Sequence, residues 1–232
     1  MAARGALELT YDWDFPQAER TLAMACRDPL AEQAPHWPPF LGFASGTPED
    51  AALAFQKWAR LDPGSGPKAC VACEFWYVAR QFDAAIQWGL RALTIDPHNV
   101  RAGIMLAISY IEAEQGDEAL RLAQRMHQLA PDAALTNYTM VMLLAKLGRR
   151  ADARHVFRRW QETNEGRYEF PILRSIGCAW LGETSLALDA MRQTIEDRHT
   201  LCLFARFAPY LAPLQSLPEF DRMLRDAGLP AA

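Results

Sequence analysis

Cys70-Val71-Ala72-Cys73 is the one stretch whose residue types and spacing suggest chemistry: two thiols at the spacing of a metal knuckle or a redox dithiol. The pair falls near a predicted helix start, where a thiolate is stabilised. A metal site would call for a second C-x-x-C, a haem site for a histidine directly after the pair, and a redox domain for a β-α-β setting. The chain offers none of them. We therefore read both thiols as core packing, small side chains between helices. His36, His98, His127, His155 and His199 are widely separated and form no H-x-x-x-H or H-E-x-x-H pair, so they are expected at surfaces and turns. There is no G-x-S-x-G, no phosphate loop and no carboxylate pair placed for acid and base work. We expect no catalytic residue, no metal and no cofactor. A thiol-dependent or metal enzyme ranks third among the function classes.

Arg149, Arg150, Arg154, Arg158 and Arg159 form a basic stripe, with Asp152 and Glu162 beside it. The chain as a whole is acidic, with a net charge of −4, so the stripe reads as a solvated outer helix face and not as a nucleic-acid footprint. The longest apolar run, 103–111, is far shorter than the ~18 residues of a membrane span. No apolar leader opens the sequence, and the five cysteines are an odd number lying within helical patterns. These features predict a soluble cytoplasmic protein with reduced thiols, binding neither nucleic acid nor membrane.

What positions these side chains is a repeat. One constant step from Ala85 meets Ala51 behind it and Ala119, Ala153 and Ala187 ahead, and the same step from Pro97 meets Pro63 and Pro131. Four and seven residues after each alanine come Phe55 and Trp58, Gly89 and Ala92, Ala123 and Met126, Phe157 and Trp160, Met191 and Thr194. That spacing lies on one face of a helix, whose buried stripe begins with a small residue that lets another helix approach. A second apolar segment precedes each. Helix pairs are predicted at 68–79 and 82–95, 100–114 and 116–129, 134–147 and 150–162, and 170–181 and 184–197. Thr47, Pro48 and Asp50 mark the start of a helix over 48–61. Residues 6–29, with Ala18, Leu22 and Ala25, read as an incomplete first repeat. Pro38 and Pro39 permit only a short helix, about 38–44, in the second. Near the end, Ser216 and Glu219 suggest a capping box for a short amphipathic helix running to Gly228.

Two helices per period, joined by a polar turn and followed by Asp-Pro, with Leu106, Tyr110, Gly148 and Gly182 at matching positions, resemble the tetratricopeptide repeat over roughly residues 6–200. The resemblance implies an all-α, right-handed α-solenoid of five to six helix pairs. It divides the chain into an array over 1–202, regular from about 66, and a C-terminal cap over 203–232. Tyr-Asp-Trp-Asp-Phe at 11–15 and Pro-Leu-x-Ser-x-Pro-Glu-Phe at 213–220 are similar to the repeat regions attached to bacterial winged-helix transcription activators and class III adenylate cyclases.

In the resembled family the first helices line a concave groove. Carried over residue by residue, this puts Glu74, Tyr77, Arg101, Ile104, Ile108, Ile111, Glu112, Tyr138, Met142, Lys146, Ile172, Ile176 and Trp180 on or near it, with the isoleucines equally readable as core. The lysine and asparagine set with which some members grip a carboxylate tail is missing. An apolar helix, or an extended peptide with hydrophobic anchors, is the expected partner. If exposed, Tyr77, Tyr138, Met142 and Trp180 form one apolar strip. The function expected is a protein-binding adaptor or regulatory module, and the rival is a sensory domain holding a small ligand in the groove.

Overall fold

The computed structural model describes residues 2–25, 47–166 and 169–229, and these are helical with no strand among them. Helix α1 (Ala2–Leu7) runs on into a π-helical turn over Glu8–Asp12, and α2 (Phe15–Ala25) folds back on it. Then come α3 (Pro48–Arg60), α4 (Gly66–Val78), α5 (Phe82–Ile95), α6 (Val100–Glu112), α7 (Gly116–Leu129), α8 (Ala134–Lys146), α9 (Arg150–Thr163), α10 (Pro171–Leu181) and α11 (Thr184–Glu196). Two 3-10 turns, Thr200–Phe204 and Pro209–Leu211, lead to α12 (Ala212–Gln215) and α13 (Pro218–Asp226). The expected helices from 48 to 197 match these bounds to within two residues. The expected short helix at 38–44, His36 and Cys26 lie outside the described residues.

The register is set by the small residues. Ala51, Ala85, Ala119, Ala153 and Ala187 are all fully buried, each where its helix meets a first helix. Glycines go further. A Cβ on Gly89 would stand 2.9 Å from Cβ of Leu106 and 3.2 Å from Sγ of Cys73, and one on Gly177 would stand 2.4 Å from the ring of Tyr138. At both places a side chain of the facing helix fills the space a Cβ would need, so the helices approach closely there. The first helices α4, α6, α8 and α10 also pack on one another from pair to pair and form the inner layer. Helices α4 and α8 are consequently buried on nearly every side, in keeping with their apolar sequences.

The repeat is written in the corners too. Arg80, Glu114, Gly148 and Gly182, each one period after the last, all take positive φ, at 59°, 61°, 76° and 82°. Each closes the turn inside a helix pair, where the chain must reverse in a very short span. Between pairs, Arg91 donates to the carbonyl of Pro63 at 3.1 Å and Arg125 to that of Pro97 at 2.9 Å, one staple repeated after a full period.

Several local readings change. Thr47 and Asp50 do form a reciprocal capping box at α3. Ser216 and Glu219 do not: Leu217 caps α13 without a side-chain bond, and Glu219 accepts from Arg192 at 2.6 Å instead. The first repeat keeps a shortened first helix of six residues, and it has a small core of its own, Leu9, Ala18 and Leu22 with Phe15. The C-terminal stretch also does more than end the array. It runs back over the inner layer: Phe204 meets Phe75 edge-on at 5.5 Å, and Tyr210 stacks on Tyr77 at 6.1 Å.

Candidate functional site

Four successive first helices each present apolar side chains inward, and the stretch 200–211 lies across them as a roof. Between wall and roof is a cavity of about 800 Å³. Ile104 and Ile108 of α6, Tyr138 and Met142 of α8, and Ile172 and Ile176 of α10 form its wall. Val71, Met105, Leu135, Leu173, Leu201 and the rings of Phe55, Trp58, Phe75, Phe170 and Phe204 extend the apolar lining. Polar groups are few: Glu74, Arg101, Thr139, His199, Thr200 and Tyr210.

The residues expected at the groove thus divide into two sets. Glu74, Arg101, Ile104, Ile108, Tyr138, Met142, Ile172 and Ile176 face the cavity. Tyr77, Glu112, Lys146 and Trp180 do not line it. Tyr77 is buried beneath Tyr210. Trp180 donates its indole N–H to the carbonyl of Tyr210 at 2.8 Å and so holds the roof. Lys146 pairs with Glu112 and lies 4.8 Å over the Trp180 ring, so these three residues, successive by one period, make a ladder along the inner face. Ile111 packs against the core and does not line the cavity.

The exposed apolar strip is therefore absent from this arrangement: Tyr77, Tyr138 and Met142 are 0, 1 and 2% exposed. Tyr77 is covered by Tyr210 of the roof, whereas Tyr138 is packed within the array itself, with Phe157 and Trp160 around its ring and Gly177 against its edge. Tyr138 is also held from behind, because its hydroxyl donates to Glu169, whose carboxylate takes the Trp160 indole N–H at 2.7 Å as well.

The charges at the cavity are paired. Glu74, buried, accepts from Arg101, whose side chain is 57% exposed and reaches outward. His199 is half-buried. Its Nδ1 accepts from the backbone N–H of Leu201 at 3.2 Å, and burial pulls its pKa down. The Tyr210 hydroxyl stands apart: it is buried and makes no hydrogen bond. Burial first, and then nearby Glu74, push its pKa well up, so at ordinary pH it is a donor without an acceptor.

Cys70 and Cys73 lie inside α4, both buried. Burial, with Glu74 next, pushes the Cys70 thiol up to about 12, and burial pushes that of Cys73 higher still. This is the reverse of an activated thiolate. Cys70, Cys73, Cys178 and Cys202 are free, and among the described residues no group of three or more His, Cys, Asp or Glu side chains is placed to hold a metal. Arg149, Arg150, Arg154, Arg158 and Arg159 are exposed, with Arg149 bridged to Asp152. No helix among the described residues is long and apolar enough to cross a membrane.

Sequence reasoning missed Thr139, His199, Leu201 and Tyr210. Thr139 follows directly on Tyr138 and could have been reached from it. The others belong to a stretch that occurs once and so has no register to read.

No family model matches the chain, and no curated protein matches it. Solved structures do. The crystal structure of MamA is 20% identical over 69% of this chain and 94% of its own, with a TM-score of 0.54. PilF of Pseudomonas aeruginosa is 16% identical over 97% of this chain and 95% of its own, with a TM-score of 0.57. The fold is a tetratricopeptide-like α-solenoid. At these identities the likeness concerns the fold alone.

Proposed function

We propose that the chain is a regulatory protein-interaction module whose concave cavity takes an apolar occupant. The observation that carries this reading is the cavity of about 800 Å³ between the chain's own roof and the first helices. A volume of that size with an apolar wall and few polar groups is the form a binding site takes. In this reading a partner's helix or extended segment inserts hydrophobic anchors against that wall, and Glu74 and Arg101 mark its rim. Tyr77, Glu112, Lys146 and Trp180 keep the roof in place. The patterns at 11–15 and 213–220, similar to the repeat regions of transcription activators and cyclases, support a regulatory role. One feature favours a second reading, a small ligand beneath the roof. Tyr77 is covered by Tyr210, so the face is closed to an open-groove peptide at that end.

The test uses N-phenyl-1-naphthylamine, an uncharged probe that brightens in apolar surroundings. We expect it to bind the purified protein, with affinity falling at least tenfold in Ile108→Trp, which fills the cavity. Arg154→Ala with Arg158→Ala, on the outer face, should leave it unchanged. Absence of probe binding, or binding that depends on the outer arginines and not on Ile108, would refute the reading.

A further inference from the structure

We infer that the roofed cavity is the binding site of a small uncharged amphiphile, a hydrocarbon body with a single neutral hydrogen-bond acceptor, and that the Tyr210 hydroxyl is the donor that recognises it. The inference rests on the second reading above, a small ligand beneath the roof, and adds that ligand's chemistry.

Body and head follow from different observations. The wall helices contribute Ile104, Ile108, Met142, Ile172 and Ile176, none of which offers a hydrogen bond, so the occupant's bulk is hydrocarbon. Met105 and Met142 give this surface some adaptability, which suits a flexible chain. The head is fixed by what remains unmet. Tyr210 lines the cavity, is 8% exposed, and its hydroxyl is without a partner. Tyr210 lines the cavity together with Glu74 and Arg101, which form its polar part. A buried donor without an acceptor is costly, and a ligand carbonyl or hydroxyl that accepts from it removes that cost.

The same end of the cavity excludes charge. Glu74 is neutralised by Arg101, so a carboxylate head would have to compete with Glu74 for the guanidinium while facing its negative charge. An ammonium head would meet Arg101 in the same way. A primary amide, ketone or alcohol meets neither obstacle.

The roof gives binding a structural consequence. The backbone carbonyl of Tyr210 is held by Trp180 and its ring lies on Tyr77. A ligand bonded to the Tyr210 hydroxyl adds a further tie, from inside the cavity, and fastens 200–211 to the inner helices.

Competition against N-phenyl-1-naphthylamine tests the assignment with three ligands of one chain length: decanamide, decanoate and decyltrimethylammonium. Decanamide is expected to displace the probe at least tenfold more effectively than either ion. Tyr210→Phe should retain the probe and weaken decanamide about five- to tenfold. Hydrogen exchange on the wild-type protein should show slowed amides in 200–211 and α6 with decanamide, a readout that needs no variant. Equal displacement by decanoate overturns the neutral head, and decanamide binding unchanged in Tyr210→Phe overturns the role of that hydroxyl. If the probe binds but only apolar peptides panned from a random library displace it, this inference falls and the protein-interaction reading stands. If the probe does not bind at all, both fall.

Discussion

Replacing Gly177 by Ala should destabilise the protein although alanine is the better helix former. Gly177 sits mid-way along α10, where exchanging glycine for alanine alone would gain about 1 kcal/mol. The new methyl would stand 2.4 Å from Cδ1 and 2.7 Å from Cε1 of Tyr138, well inside contact distance. The ring has little freedom to retreat, because its hydroxyl is bonded to Glu169 and its faces and edges meet Phe157 and Trp160 at centroid separations of 6.0 and 6.4 Å. Overpacking of this kind costs about 1–3 kcal/mol, and a rigid neighbour puts it at the upper end. The net loss is then about 1–2 kcal/mol, and for a chain of this size the melting temperature should fall by roughly 2–8 °C. Thermal melting followed by far-ultraviolet circular dichroism reads the shift. Gly64→Ala, where nothing lies within 4 Å of the added carbon, is the control and should change little. A melting temperature that rises by a few degrees in Gly177→Ala would mean that helix propensity alone governs the site and that α8 and α10 do not meet at Tyr138.

Three further outcomes are expected. Glu114 takes φ of 61° at a corner where the later repeats have glycine, so Glu114→Gly should relieve about 1–2 kcal/mol of left-handed strain against about 0.5–1 kcal/mol of added chain entropy, a small net gain readable in urea denaturation. His199 has a pKa lowered by burial, so the folded state binds its proton less readily than the unfolded chain. Its neutral form stabilises the fold above the unfolded pKa of ~6.5, and that stability is lost as pH falls below it. His199→Asn, which keeps an acceptor for the Leu201 N–H, should flatten the stability profile between pH 7.5 and 5. Buried thiols, with Cys178 pushed up to about 11 and Cys70 and Cys202 to about 12, should resist an aromatic disulfide reagent at pH 8 in a Cys26→Ser background until denaturant is added; fast reaction of Cys70 in the folded protein would contradict its burial.

The inner architecture was legible because it recurs. An alanine at one place in the period is weak evidence when seen once and strong evidence when seen five times, and it is fully buried each time. The left-handed corners were half legible: Gly148 and Gly182 announce themselves, but Arg80 and Glu114 carry side chains that disguise the same backbone. The arginine staples were hidden for another reason. Arg91 and Arg125 keep the interval, yet a lone arginine on a helix reads as solvated surface unless the carbonyl it serves is known. The position of 200–211 left no trace, since periodicity says which face of a helix is apolar and nothing about what covers it. Hence Tyr77, Tyr138 and Met142 form an exposed strip only on a condition that periodicity cannot decide, and all three are buried. Local rules also failed at Ser216, where the carboxylate of Glu219 serves the distant Arg192 instead of the nearby cap.

Arg198 touches the other end of the molecule. Its guanidinium donates to the carbonyls of Tyr11 and Asp12 at 3.3 and 3.2 Å and lies 4.6 Å over the ring of Trp13. In an open array each unit depends only on its neighbours, so the terminal units fray first and the middle outlasts them. Clasping residue 198 to residues 11–13 ties the first unit directly to the last. Loosening either end releases a contact that the other end also needs, and melting should approach a single event in place of a progressive peel.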